Sequence, residues 1–101
     1  MEYVIENERI YAYDTAGRLI AEVTFPTCHG VSVIDHTFVD DSLRGQGIAG
    51  ELVRLAVEKI LAEGNRIAAT CPYAVAWLRR HPEYAVVDSG DPEACRIDRR
   101  R

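Results

Sequence analysis

Two short stretches of this chain combine residue types suited to chemistry. In the first, Leu43-Arg44-Gly45-Gln46-Gly47-Ile48-Ala49-Gly50, three glycines stand in G-x-G-x-x-G spacing just before an amphipathic run. Glycines let the backbone approach a ligand closely, and the unpaired N–H groups at the head of a following helix, with the positive end of its dipole, suit an anion. The loop therefore predicts a phosphate-bearing ligand. The second stretch is Cys71-Pro72-Tyr73, which follows a short apolar run. Proline is favoured in the first helical turn, so Cys71 is expected to cap a helix whose dipole favours the thiolate. A small buried hydrophobe is the competing expectation for such a thiol.

The glycine spacing matches the dinucleotide fingerprint, but that reading wants the glycines after a first strand and an acid some 20 residues on for the ribose. Here they follow a third strand, and the next strand ends in Thr70 and Cys71. A Walker loop is excluded because no Lys-Ser/Thr follows. Cys71-Pro72-Tyr73 is also the first half of a glutaredoxin C-P-Y-C turn. Position 74 is alanine, and the turn lies late in the chain instead of after the first strand.

The elements that must position these residues follow from patterning. Residues 3–13 alternate, Asp14-Thr15-Ala16-Gly17 reads as a hairpin turn, and "RLIAEVTF" and Val31–Val39 supply two further strands, a three-stranded antiparallel meander. Apolar residues at 48, 52, 55, 56 and 60 predict a helix over 47–63 closed by Gly64. Residues 66–70 read as a buried strand, parallel to the strand before the loop. A second helix is expected from Pro72 to Pro82 and a last strand over Tyr84–Asp88, so the fold class is α+β with order β-β-β-α-β-α-β.

A chain of 101 residues holds one core, read as a single domain over 1–95 with a flexible basic tail at 96–101. Outside that tail, with its Arg96, Arg99, Arg100 and Arg101, the composition is acidic. This disfavours nucleic acid and suits cationic substrates such as amines. With no apolar run long enough for a membrane span and no secretory leader pattern, no membrane partner and a cytoplasmic location are expected. Three widely spaced cysteines predict reduced thiols, and the histidines form no metal-ligand spacing with them, so no metal is expected. A terminal strand pairing across two copies would make a weak homodimer; otherwise the chain is a monomer.

Arg44-Gly45-Gln46-Gly47-Ile48-Ala49 fits the R-x-x-G-x-A loop of GNAT acetyltransferases. "DHTFVDDSLRGQGIAGELV" followed by "TCPYAVAWLRRHPEY" resembles the minimal GNAT-like N-acetyltransferase subfamily, with its H-T strand and C-x-Y turn. The resemblance implies a GNAT-like, acyl-CoA N-acyltransferase fold with a mixed central sheet whose strands splay near residues 34–39 and 66–71. It implies acetyl-CoA as cosubstrate, with its pyrophosphate on amides from about Gln46 to Gly50, Arg44 adding charge, and its pantetheine arm between the splayed strands. Cys71 would face the thioester as nucleophile or proton-transfer group. His36, of the H-T pair, is a candidate general base, and Tyr73 a candidate donor to the leaving sulfur. The acceptor would be a primary amine: a small amine, a lysine side chain or an N-terminus. Larger GNAT enzymes place such a tyrosine later in this helix, where this chain has Leu78, Arg79 and Arg80, which shifts weight onto Cys71. The alternative is a non-catalytic module that binds or senses acyl-CoA.

Overall fold

The computed structural model describes residues 1–87. The domain end at 95, the tail at 96–101 and the last residue of the expected strand Tyr84–Asp88 therefore lie outside the described residues. The elements are β1 (Val4–Ile5), β2 (Arg9–Tyr13), β3 (Leu19–Thr24), β4 (Thr27–Cys28), β5 (Val31–Ile34), β6 (His36–Val39), a 3-10 turn (Asp41–Leu43), α1 (Ile48–Ala62), β7 (Arg66–Ala69) and α2 (Pro72–Arg79). Strands β1, β2, β3 and β6 pair antiparallel in that order; β4, β5 and β7 form a second sheet in which β5 and β7 run parallel. No helix among the described residues is long and apolar enough to cross a membrane.

The hairpin between β2 and β3 forms where expected. Asp14 accepts from the Ala16 and Arg18 amides, and Gly17 supplies the positive φ of +85° that the turn requires. Two expected strands are each divided. The run 3–13 folds back on itself, so that Val4 lies opposite Tyr11, and the run 31–39 breaks at Asp35, where β5 gives way to β6. The expected last strand shrinks, within the described residues, to a single parallel bridge between Val86 and Ile67.

Alternation sorts the first sheet into two faces. Ile10, Ala12, Ala21 and Val23 point inward and are fully buried against α1, whose Leu52, Val53, Ala56, Val57 and Ile60 fill the space. A register shift between Ala12 and Tyr13 admits Ile20 to the same core. The opposite face carries Arg9, Tyr11, Tyr13, Glu22, His36 and Phe38, and no element among the described residues packs over it. Helix α1 ends with Gly64 at φ +78°, and Asn65 and Gly64 donate to the Ile60 and Leu61 carbonyls, a Schellman closure.

Cys71 caps α2 and Pro72 opens it, as the sequence predicts. Cys28, however, is disulfide-bonded, against the expectation of three reduced thiols, while Cys71 is free. Spacing along the chain does not reveal which thiols folding brings together.

Candidate active site

The glycine loop joins the 3-10 turn to α1. Asp40 caps that turn, and donation from the Ser42 hydroxyl and amide holds its carboxyl below the usual range. The chain then reverses through Gly45 at φ +83° and Gly47 at φ +74°, conformations that a Cβ would strain. Gly47 is the N-cap of α1, and the first internal bond of the helix runs from Glu51 N–H to the Gly47 carbonyl. The amides of Ile48, Ala49 and Gly50 therefore have no intrahelical acceptor.

Beside them is a cavity of about 250 Å³ lined by Arg44, Gly45, Gly47, Ile48, Ala49 and Tyr73 together with Val39, Asp40 and Leu43. Gln46 and Gly50 of the expected loop do not line it. The Gln46 amide already donates to the Leu43 carbonyl. Gly50 serves helix packing instead: a Cβ there would lie 3.3 Å from Trp77 Nε1 and 3.4 Å from the Tyr73 hydroxyl. The Arg44 guanidinium is 2.7 Å from Asp41 Oδ1 with both groups exposed, a weak pair that an incoming phosphate can displace. Free amides, a helix N-terminus and an arginine suit this cavity to a pyrophosphate.

The second part of the site is the point where two strands separate. β5 and β7 pair as far as Ile34 and Ala69, after which the Thr70 and Cys71 amides both donate to the Ile34 carbonyl, at 3.0 and 3.1 Å. Beyond Ile34 the chain swings toward β3, and β6 pairs only there. The Asp40 amide donates to Ile20, so by alternation Phe38 and His36 face β3, whereas Thr37 and Val39 turn their N–H and C=O groups into the gap. A backbone edge is thus presented to any extended arm entering from the loop.

Cys71 stands at the head of this gap, 8% exposed, with its sulfur 3.3 Å from the Thr37 hydroxyl. No hydrogen bond of ordinary capping geometry closes from the sulfur to α2. Burial pushes the thiol up, but the Thr37 hydroxyl and the nearby amides of Ala74, Tyr73 and Thr37 favour the thiolate more strongly. The net result is a thiol held below its ordinary value.

The structure brings some of the expected site residues together and separates others. Tyr73, on the first turn of α2, shares the cavity with the loop. His36 lies one peptide from Thr37 but projects from the open face of the sheet, with Nε2 3.6 Å from Glu22 Oε1. It and Cys71 therefore flank β6 from opposite sides. Thr37 is the residue that sequence reasoning passed over: the H-T pair was visible, but only its histidine received a role. Strand alternation was the available signal, since neighbours on a strand must face opposite ways. Among the described residues no cluster of His, Cys, Asp and Glu could hold a metal ion.

Comparisons with known proteins agree with this geometry. A family model described as GCN5-related N-acetyl-transferase matches residues 9–87. The NMR structure of a GCN5-like protein from Staphylococcus aureus is similar over 88% of this chain and 92% of its own, with a TM-score of 0.68 and 26% identity. Two crystal structures share the fold at lower identity. An acetyltransferase from Bacillus cereus has a TM-score of 0.53 and 24% identity over 65% of this chain and 45% of its own. A ribosomal-protein-alanine N-acetyltransferase from Brucella melitensis has a TM-score of 0.56 and 20% identity over 82% and 66%. No curated protein matches the sequence. The family match begins at β2 and runs to the last described residue, taking in both the loop and the thiol, and the chain belongs to the GCN5-related N-acetyltransferases.

Proposed function

We propose that the protein transfers an acetyl group from acetyl-CoA to a primary amine by way of Cys71. The observation that carries this reading is the placement of a thiolate-favouring cysteine, with Thr37 at 3.3 Å, where the strands part beside the phosphate-sized cavity. The pyrophosphate is held by the amides at the head of α1, with Arg44 exchanging Asp41 for phosphate. The pantetheine arm pairs with the edge of β6 at the Thr37 carbonyl and at Val39, the Thr37 amide being turned to the Cys71 sulfur.

Cys71 then attacks the thioester carbonyl carbon, forming a new S–C bond as the bond to the CoA sulfur breaks. The developing oxyanion is met by amides of the splayed strand, and Tyr73 donates to the departing sulfur. In the second half the amine attacks the acetyl group on Cys71, the S–C bond breaks to restore Cys71, and the proton lost by the nitrogen returns to the Tyr73 oxygen that gave one to the departing CoA sulfur. The products are the amide, free CoA and the restored thiol. The acidic composition supports a cationic amine as acceptor.

The test has two arms. Acetyl-CoA at a hundredfold its dissociation constant stabilises the fold by about 2.7 kcal/mol, raising Tm by about 10–20 °C for a domain of this size. Release of CoA thiol is then followed with small amines, lysine peptides and peptide N-termini. Stabilisation without release from any amine identifies a module that only binds acyl-CoA; no stabilisation removes the ligand itself.

A further inference from the structure

Helix α2 begins in a way that leaves two backbone donors without an acceptor. Its first internal bond runs from the Val75 N–H to the Cys71 carbonyl at 2.9 Å, and Pro72, the first helical residue, has no N–H to satisfy. The Tyr73 and Ala74 amides therefore find no carbonyl partner among the described residues. Ala74 is fully buried, where an unpaired N–H costs about 1–3 kcal/mol. Both amides face the Cys71 sulfur, as does the Thr37 amide from β6. Yet the sulfur closes no hydrogen bond of capping geometry with α2, and its close partner is the Thr37 hydroxyl at 3.3 Å. Donors from two elements converge on one point without an acceptor that fits them.

We propose that the Tyr73 and Ala74 amides form the oxyanion site of the transfer, taking the thioester carbonyl oxygen as Cys71 attacks. This rests on the reading of Cys71 as the nucleophile, and it adds the head of α2 to the strand amide of Thr37. In the attack a sulfur lone pair forms the S–C bond and the carbonyl π pair moves onto oxygen. Negative charge thus leaves the sulfur and appears one atom beyond the new bond. Donors aimed at the sulfur are already turned toward that charge, and a small oxygen closes the bonds that a large sulfur leaves open. The carbonyl then re-forms as the bond to the CoA sulfur breaks, and the electron pair leaves with that sulfur, which takes its proton from Tyr73. Acetylated sulfur is a poor acceptor, so the buried Ala74 N–H is satisfied afterwards by the acetyl oxygen. The acetyl group is thereby fixed with its oxygen toward α2, and the same donors serve the attack by the amine.

The test separates acetylation of Cys71 from its alkylation. Both need the thiolate, but only acetylation builds charge on a carbonyl oxygen, so the thiolate population cancels in the ratio of the two rates. Segment 71–101, synthesised with the Ala74 N–H exchanged for an ester oxygen, is joined through Cys71 to residues 1–70, and the same ligation with an ordinary amide gives the reference. Rates at Cys71 are read by peptide mass with acetyl-CoA and with iodoacetamide. Loss of the Ala74 N–H is expected to lower the ratio of acetylation to alkylation about a hundredfold. An unchanged ratio, with both rates falling together, overturns the proposal and leaves the amides as holders of the thiolate only. If the ester chain does not fold, the unaltered protein decides. The carbonyl stretch of an isotope-labelled acetyl group on Cys71 is expected below that of acetyl-CoA in water, and a band at or above it overturns the proposal. If acetyl-CoA does not load Cys71, the nucleophile reading fails separately; p-nitrophenyl acetate then delivers the acetyl group, and the same ratio and the same band judge the amides.

Discussion

Thr37→Val isolates the contact on which the chemistry of Cys71 depends. Valine has nearly the shape of threonine, so the substitution removes the hydroxyl 3.3 Å from the sulfur and leaves the strand and its amide in place. A hydrogen bond to a charged group contributes about 1.5–3 kcal/mol, and about 1.4 kcal/mol is a factor of ten. The amides of Ala74, Tyr73 and Thr37 still favour the thiolate in the variant, so the lower end applies. The thiolate population at neutral pH, and with it the rate of alkylation by iodoacetamide, should fall about tenfold. Thr37→Ser, which keeps the hydroxyl, should react within about twofold of the wild type. Rates are read by intact mass against time at several pH values, because a shift along the pH axis separates thiolate population from access. Equal rates for wild type and Thr37→Val at every pH, or equal losses for Val and Ser, refute the reasoning.

Further predictions concern the loop and the pH dependence of stability. Gly47→Ala meets open space but must adopt φ +74°, so it should cost about 1–2 kcal/mol in urea unfolding and reduce stabilisation by CoA. Gly50→Val drives a side chain toward Trp77 and Tyr73. It should destabilise by about 1–3 kcal/mol and slow Cys71 alkylation by displacing the start of α2. The lowered Cys71 thiol favours folding once it is ionised. The stability difference between wild type and Cys71→Ala should therefore rise with pH from the folded thiol's pKa up to the unfolded value of about 8.5, and shrink as pH falls through the folded pKa. Denaturant midpoints measured through that window check the sign.

Much of the positioning scaffold was legible because it rests on local rules. Asp14 and Gly17 mark a turn by chemistry that acts over a few residues, and Gly64 and Pro72 mark helix ends in the same way. The parallel pairing of β5 with β7 follows from handedness and crossover length. What escaped depends on contacts between elements. The break at Asp35 arises because the residues before it pair with β7 and those after it with β3, and a continuous β-branched run carries no sign of that exchange. The division of the third glycine from the other two depends on α2 crossing at Trp77. Glu22 looked like an ordinary outward strand residue until pairing set it between Arg9 and His36.

The most direct test of the central claim is intact mass after incubation with acetyl-CoA, comparing wild type with Cys71→Ser in the absence of any amine. Transfer through the thiol predicts one added acetyl group on the wild type, absent from Cys71→Ser and removed when an acceptor amine is supplied. Amine acetylation at the wild-type rate by Cys71→Ser, with no acetylated protein at any time, would contradict it.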